Sequence, residues 1–410
     1  MSGVGMTLEA PRAQRSPTSR RQPARSRAPA LPAALSRQIA RFFPPVRAEL
    51  RRILRSTERA ADLVVVFPAV LHALASNHGD AAARTSALSM IAAGAPLRCV
   101  AQTLGLPMWL RRLPPEAFTG ALTGLPTDEG FARRVPARLP ARTCEAADWL
   151  EAVRFATRAC HGDFALWVAR HRLYPEARCS PYRLVLLAAY AWHSLDSGHA
   201  ASDLVMTRWR PEMAPDTAIC AAKSWFNRIM LCVRLPAGKA LDAWLEPGEA
   251  DGLAFVPLTD CDAVLTEARA MSNCTDQYAA ALTRNRCRLF SVRRAGQHVA
   301  TLEIVPHNRE TGVLAIGQLK GRHNAPSTLD VWQAAFRWMA LQQRLFQMPL
   351  GNATSGPDDA AWTALMAPYR AAHKGAHWLP ASADDPLIDS IESALALLAR
   401  DANIRSWLFV

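Results

Sequence analysis

LTEARAMSNCTDQYAAALTRNRCRLFSVRRAGQHVATLEIVPHNRETGVLAIGQLKGRHNAPSTLDVWQAAFRWM, Leu265–Met339, is the stretch on which the fold class turns. RLFSVRR (Arg288–Arg294), HVATLEIV (His298–Val305) and VLAIGQL (Val313–Leu319) are short and read as three strands. The segments between them, Ala295–Gln297 and His307–Gly312, are short enough for antiparallel hairpins. Upstream, LAFVPL (Leu253–Leu258) reads as a further short strand or extended lead-in, and Asp262–Ala270 and Thr275–Thr283 as helices. Downstream, Ser327 and Asp330 stand at the S-x-x-D spacing of a capping box, predicting a helix over Thr328–Phe346.

Outside this stretch the pattern is helical. Val46–Arg59 is an arginine-studded helix candidate, and Ala60 to Gly94 holds two helical patterns parted by Asn77–Asp80. Prolines 107, 114 and 115 cut Ala95–Phe118 into short helices. Glu145–Cys160, Asp163–His171, Pro181–Ser194 and Ala214–Val233 each carry one tryptophan, read as a core anchor of a helical bundle. A last helix is predicted over Pro386–Arg400. The fold class is therefore α+β: a predominantly helical N-terminal region, a small antiparallel-sheet module and C-terminal helices. The boundaries fall at a disordered basic tail (1–38), a helical region (39–246), the α+β module (247–346) and C-terminal helices (347–410).

The formal charge of +13 belongs mostly to one end of the chain. Residues 1–60 hold thirteen Arg against three Glu, a net +10, so the remaining 350 residues carry only +3. Such a tail suits a polyanion, nucleic acid or an anionic membrane surface, or serves as a solubilising leader. Nine cysteines without a C-x-x-C pair argue against a disulfide framework and a structural zinc site, and fit a reducing cytoplasm. The longest apolar run, Leu63–Ala75, is too short to span a bilayer, and the N-terminus lacks the apolar centre of a secretory signal. No integral membrane association is expected. The P-loop, dinucleotide-binding, HExxH and GxSxG patterns are absent, and the motifs present specify no cofactor or metal.

Three features could carry chemistry. Cys274 lies between Asn273 and Thr275, with Tyr278 a turn later; a helix beginning near Asn273 would set the thiol at its N-terminus, where the dipole favours a thiolate. Packing at a helix start is the other reading, since no histidine is tied to Cys274 by spacing. In HVATLEIV, alternation puts His298, Ala300, Leu302 and Ile304 on one face and Val299, Thr301, Glu303 and Val305 on the other. Glu303 then either lines a polar cleft as acid, base or metal ligand, or faces solvent. The loop Gln318–Ser327 combines Lys320, Gly321, Arg322 and Asn324 before a helix, a setting for an anion or simply a polar connection. Arg286, Arg288, Arg293 and Arg294 add cations to the region.

In order, Glu267, Met271, Asn273, Cys274 and Tyr278, then Ser291 and Arg293, Thr301 and Glu303, and Gln318, Gly321 and Asn324 resemble the motif series of the PcfJ-like family. These are bacterial plasmid- and phage-associated proteins named after a conjugative-plasmid gene product. LPMWLRRLPPEAF (Leu106–Phe118) is similar to the N-terminal half of a proteobacterial branch, so the resemblance spans residues 90–345. Ala268 and Thr275 depart from it, standing where the family-like residues are Gly and Val. The resemblance implies a mobile-element setting without an established reaction. It groups Asn273, Tyr278, Ser291, Arg293, Thr301, Gln318, Gly321 and Asn324, joined by Lys320 from the loop reading, as substrate- or anion-binding candidates around Cys274 and Glu303.

The leading expectation is a cytoplasmic PcfJ-like accessory protein that handles nucleic acid through its basic tail. One alternative is a hydrolase or transferase using Cys274 or Glu303 in a polar cleft, for which these side chains must converge. Another is a secreted effector or interaction protein whose leader is an export signal. The sequence names no protein partner.

Overall fold

Four of the five strands follow directly from the apolar alternation between Leu253 and Lys320. In the computed structural model, which describes residues 31–173, 182–307, 312–343, 356–391 and 393, they form an antiparallel meander. The strands are β1 (Gly248–Ala250), β2 (Leu253–Pro257), β3 (Arg288–Arg294), β4 (Gln297–Pro306) and β5 (Leu314–Lys320), hydrogen-bonded in that order. β1 is an addition to the sequence reading. Asp251 and Gly252, both in the left-handed region (φ 50° and 72°), make the tight turn that folds β1 onto β2.

Two bulges reshape the meander. Val292 pairs with Ala300 but Arg293 pairs with His298, leaving Val299 as the extra residue on β4. Likewise Glu303 pairs with Gln318 and Ile304 with Ile316, leaving Gly317 extra on β5. The first bulge corrects the strict alternation read for His298–Val305. The inserted residue moves His298 onto the face of Thr301 and Glu303 instead of the face of Ala300 and Leu302.

One sheet face, carrying Phe255, Phe290, Val292, Ala300 and Leu302, packs against the helix Leu329–Ala340. Trp338 stacks on Phe255 at 4.6 Å, and Gly248 leaves room for it, since a β-carbon there would lie 3.2 Å from the indole. That helix starts one residue later than Ser327 and Asp330 imply. Its N-cap is Thr328, without a side-chain cap, and Asp330 pairs instead with Arg294 at 2.6 Å. It ends at Ala340; the remainder of the stretch read to Phe346 includes residues outside those described.

The other sheet face meets the helix Cys261–Met271, and Leu289 joins this side to the large helical core. In that core the helices Ala146–Ala159, Gly162–His171, Tyr182–Leu195 and Pro215–Arg234 match the four tryptophan-bearing patterns, although Pro181 lies outside the described residues. Trp149, Trp167 and Trp225 are buried, and their indole N–H groups donate to the carbonyls of Ala169, Met213 and Ala201. Trp192 is only partly buried. Residues 60–92 hold three helices where two patterns were read, because Pro68 forces Phe67 out of the helical region and splits Arg59–Val66 from Pro68–Ala75. Helices also follow the sheet, at Asp359–Ala372 and at 386–391; most of the stretch read onward to Arg400 lies outside the described residues, as do residues 1–30 of the basic tail. Among the described residues no helix is long and apolar enough to cross a membrane.

Candidate functional site

Between the sheet and the helical body, five sheet residues form the floor of a small cavity. Thr301 and Glu303 come from β4, Gln318 and Lys320 from β5, and Leu289 from β3. Cross-strand pairing sets them side by side: Glu303 lies opposite both Leu289 and Gln318, and Thr301 opposite Lys320. Asn273, Cys274, Thr275 and Tyr278 form the roof, and Asn324 closes one side. The enclosed volume is about 30 Å³, room for about two water molecules.

The roof is shaped by the end of the helix Cys261–Met271. Ser272 terminates it in the left-handed region, and the chain turns into a short 3₁₀ segment, Thr275–Tyr278, that runs on into the helix Ala279–Thr283. Cys274 stands at the N-terminal boundary, as read, but the first turn is 3₁₀ and the capping is done by its neighbour. Asn273 Oδ1 accepts from the Thr275 amide at 3.3 Å and the Thr275 hydroxyl at 2.8 Å. The Cys274 thiol instead points toward Asn324 Oδ1, 3.8 Å away. His323 and Asn324 are both left-handed (φ 58°), a conformation that costs roughly 1–3 kcal/mol per residue, and this loop tip brings the Asn324 amide to the thiol.

Glu303 is half buried. Burial raises its carboxyl above the ordinary range, while hydrogen bonds from Gln318, Tyr278 and Cys287 favour the ionised form and partly offset the rise. The effect is mutual: burial and the neighbouring Glu303 push the Cys287 thiol up to about 12 and the Tyr278 phenol above its usual value. Gln318 Nε2 also donates to Tyr278 Oη at 3.4 Å. The result is a carboxyl group of raised proton affinity, held by three donors and facing a polar cavity.

Behind the floor runs a buried polar network. Glu267 is fully buried; it accepts from the Thr301 hydroxyl at 2.6 Å and lies 2.6 Å from His298 Nδ1. The Thr301 oxygen accepts in turn from Asn273 Nδ2 at 2.8 Å, which ties the network to the Cys274 turn. Ser291 Oγ lies 3.1 Å from the same histidine nitrogen and accepts from Arg293 Nε at 3.1 Å. The turn is also braced from below, where Arg228 on the helix Pro215–Arg234 pairs with buried Asp276 at 2.9 Å. Burial lowers the arginine and raises the aspartate, and their mutual attraction opposes both shifts.

Of the residues singled out in the sequence, Asn273, Cys274, Tyr278, Thr301, Glu303, Gln318, Lys320 and Asn324 line the cavity together. Ser291 and Arg293 do not reach it and belong to the network behind. Gly321 does not line it either: its amide donates to the Ala325 carbonyl at 2.8 Å and shapes the loop. Of the loop Gln318–Ser327, Gln318, Lys320 and Asn324 line the cavity, whereas Arg322 and the helix start at Leu329 lie outside it. The extra cations are largely engaged in structure. Arg288 is buried over the Trp244 ring and bonded to backbone carbonyls, and Arg294 pairs with Asp330.

Sequence reading missed Cys287 and the Arg228–Asp276 brace, and it noticed Glu267 only through the family-like motif. Among the described residues no three His, Cys, Asp or Glu side chains gather as a metal site would require. Comparison with family models, with curated proteins and with solved structures finds no match to this chain.

Proposed function

We propose that this protein is a cysteine-dependent acyl hydrolase or transferase whose reaction centre is the cavity between Cys274 and Glu303. The supporting observation is the convergence of four separate segments, bearing Cys274, Glu303, Gln318 and Asn324, on one small polar cavity. A packing role for Cys274 requires none of the other three. In the proposed reaction the Cys274 sulfur attacks an acyl carbon while its thiol proton passes to the departing group, giving a thioester. The Lys320 ammonium is the donor on hand for the developing oxyanion, and the Asn324 carbonyl oxygen orients the thiol. A water in the cavity then gives a proton to the Glu303 carboxylate, attacks the thioester carbon and frees the thiolate, which regains the proton. Gln318 and Tyr278 hold the carboxylate in place.

The test is p-nitrophenyl acetate turnover. The expectation is steady release of p-nitrophenol by wild type, loss with Cys274→Ser, and a strong slowing with Glu303→Gln. Equal turnover by all three proteins contradicts the proposal.

A second reading, a nucleic-acid-associated accessory protein of PcfJ-like type acting in a reducing cytoplasm, is supported by the arginine-rich first sixty residues. A groove on the helical region lined by Arg133, Arg138 and Arg170, with Arg134 paired to Asp163 and with Glu212 at its edge, keeps a positive balance that adds to it. Binding of full-length protein to DNA or RNA that steepens with falling salt, and flattens when residues 1–40 are removed, is the expected behaviour. No binding at low salt removes this reading.

A further inference from the structure

The helices Pro215–Arg234 and Cys261–Met271 bring two thiols together that take no part in the cavity described above. Cys232 Sγ and Cys261 Sγ lie 3.2 Å apart, from residues 29 positions apart in sequence. Cys232 sits in the last turn of one helix and Cys261 is the first residue of the next, immediately after its N-cap Asp260. A disulfide needs a sulfur separation of about 2.05 Å, so bond formation asks for an approach of roughly 1.1 Å, within reach of side-chain rotation. The pair opens onto a cavity of about 530 Å³ between the Leu235–Ala240 segment and the helix Asp359–Ala372, lined also by Pro236, Gly238 and Leu365. Both cysteines line that cavity, so a small molecule held in it lies beside the pair.

We propose that Cys232 and Cys261 form a thiol–disulfide exchange site that takes a low-molecular-weight disulfide as its oxidant. The two sulfurs are unequal, which sets the order of events. Cys232 is half-buried and Cys261 is buried, so an incoming disulfide meets Cys232 first. The Cys232 thiolate attacks one sulfur of the incoming disulfide; its S–S bond breaks, one thiolate leaves, and a mixed disulfide forms on Cys232. Cys261 loses its proton to the departing thiolate and attacks Cys232 Sγ, expelling the second thiolate. The protein is oxidised by two electrons, the small disulfide is reduced to two thiols, and the two protein protons end on them. The new bond would tie the helix carrying Arg228 to the helix carrying Glu267, the two elements that brace the Cys274 turn.

The experiment exposes the full-length protein to glutathione disulfide, blocks remaining thiols with N-ethylmaleimide, and maps peptides without reduction. The expected result is a Cys232–Cys261 linked peptide with loss of two thiols, reversed by dithiothreitol. In Cys261→Ser the reaction stops with glutathione on Cys232, and in Cys232→Ser the Cys261 thiol stays unmodified. Circular dichroism checks that both variants fold, and the wild-type map decides the matter if they do not. A wild-type map with no linked peptide, under conditions that place glutathione on exposed Cys144 and Cys220, overturns the proposal. Glutathione on Cys261 in Cys232→Ser at the wild-type rate overturns it as well.

Discussion

Replacing Glu267 by alanine should damage both the fold and the cavity, and the size of the loss can be worked from its contacts. The carboxylate is fully buried and engages two partners at 2.6 Å, the Thr301 hydroxyl and the His298 ring nitrogen. Hydrogen bonds to a charged group contribute about 1.5–3 kcal/mol each, so losing both removes about 3–6 kcal/mol. The vacated volume adds to that, because the site is enclosed between helix and sheet and cannot be refilled by water without rearrangement. With an m-value of about 3 kcal/mol/M for a chain of this size, the urea midpoint should fall by more than about 1 M. Glu267→Gln keeps the shape and one acceptor oxygen and should recover a good part of the loss. Thr301→Val alone should cost about 2–4 kcal/mol, since it removes the bond to Glu267 and the one from Asn273, and the Glu267→Ala/Thr301→Val pair should be sub-additive by at least about 0.5 kcal/mol. Urea titration followed by tryptophan fluorescence reads all four proteins. A Glu267→Ala loss below about 1 kcal/mol, or full additivity with Thr301→Val, refutes the view that this network holds the cavity floor to the Cys274 turn.

The raised Glu303 carboxyl carries a sign. Between the ordinary carboxylate pKa and the raised one, the folded state holds the proton more tightly than the unfolded state, so stability falls as pH climbs through that interval. Glu303→Gln should abolish that slope, which urea midpoints taken between about pH 4 and pH 8 would show. Gly317→Ala adds a β-carbon 2.9 Å from Val305 Cγ1 and 3.2 Å from Glu303 Oε2; a loss of about 1–3 kcal/mol in thermal or urea unfolding is expected, with a shift in the Glu303 titration. Arg228→Met strands the buried Asp276 carboxylate and should cost about 3–5 kcal/mol, whereas Arg228→Met with Asp276→Leu should recover most of it. Equal losses in the single and double variants contradict that account.

The sheet was legible because one of its faces is apolar. Phe290 and Val292 on β3, and Ala300 and Leu302 on β4, repeat at every second residue, and Arg288–Arg294 matches the sequence reading end to end. β1 was not legible: three residues, Gly-Glu-Ala, carry no period, and they join the sheet because Asp251 and Gly252 turn the chain back. Nor does anything in HVATLEIV mark Val299 as a bulge, so the reading put His298 on the wrong face. Gly317, a glycine inside a strand, was the one local sign that β5 is irregular. The cavity was legible in its parts, since Cys274, Glu303, Gln318 and Asn324 are polar residues interrupting apolar patterns. Their supports were not. Arg228 sits 48 positions from Asp276 and Cys232 sits 29 from Cys261, each on a helix whose amphipathic pattern already accounts for it. Pairings over such distances depend on packing that leaves no trace in local sequence.

The most direct test of the proposed chemistry is the mass of the protein quenched during reaction with p-nitrophenyl acetate, with the adduct mapped by peptide sequencing. If Cys274 is the nucleophile and Glu303 activates the water that clears it, Glu303→Gln accumulates an acetyl group on Cys274 while wild type turns over and stays largely unmodified. An unmodified Cys274 in Glu303→Gln, with acetyl appearing only on exposed cysteines such as Cys144 and Cys220, contradicts the account.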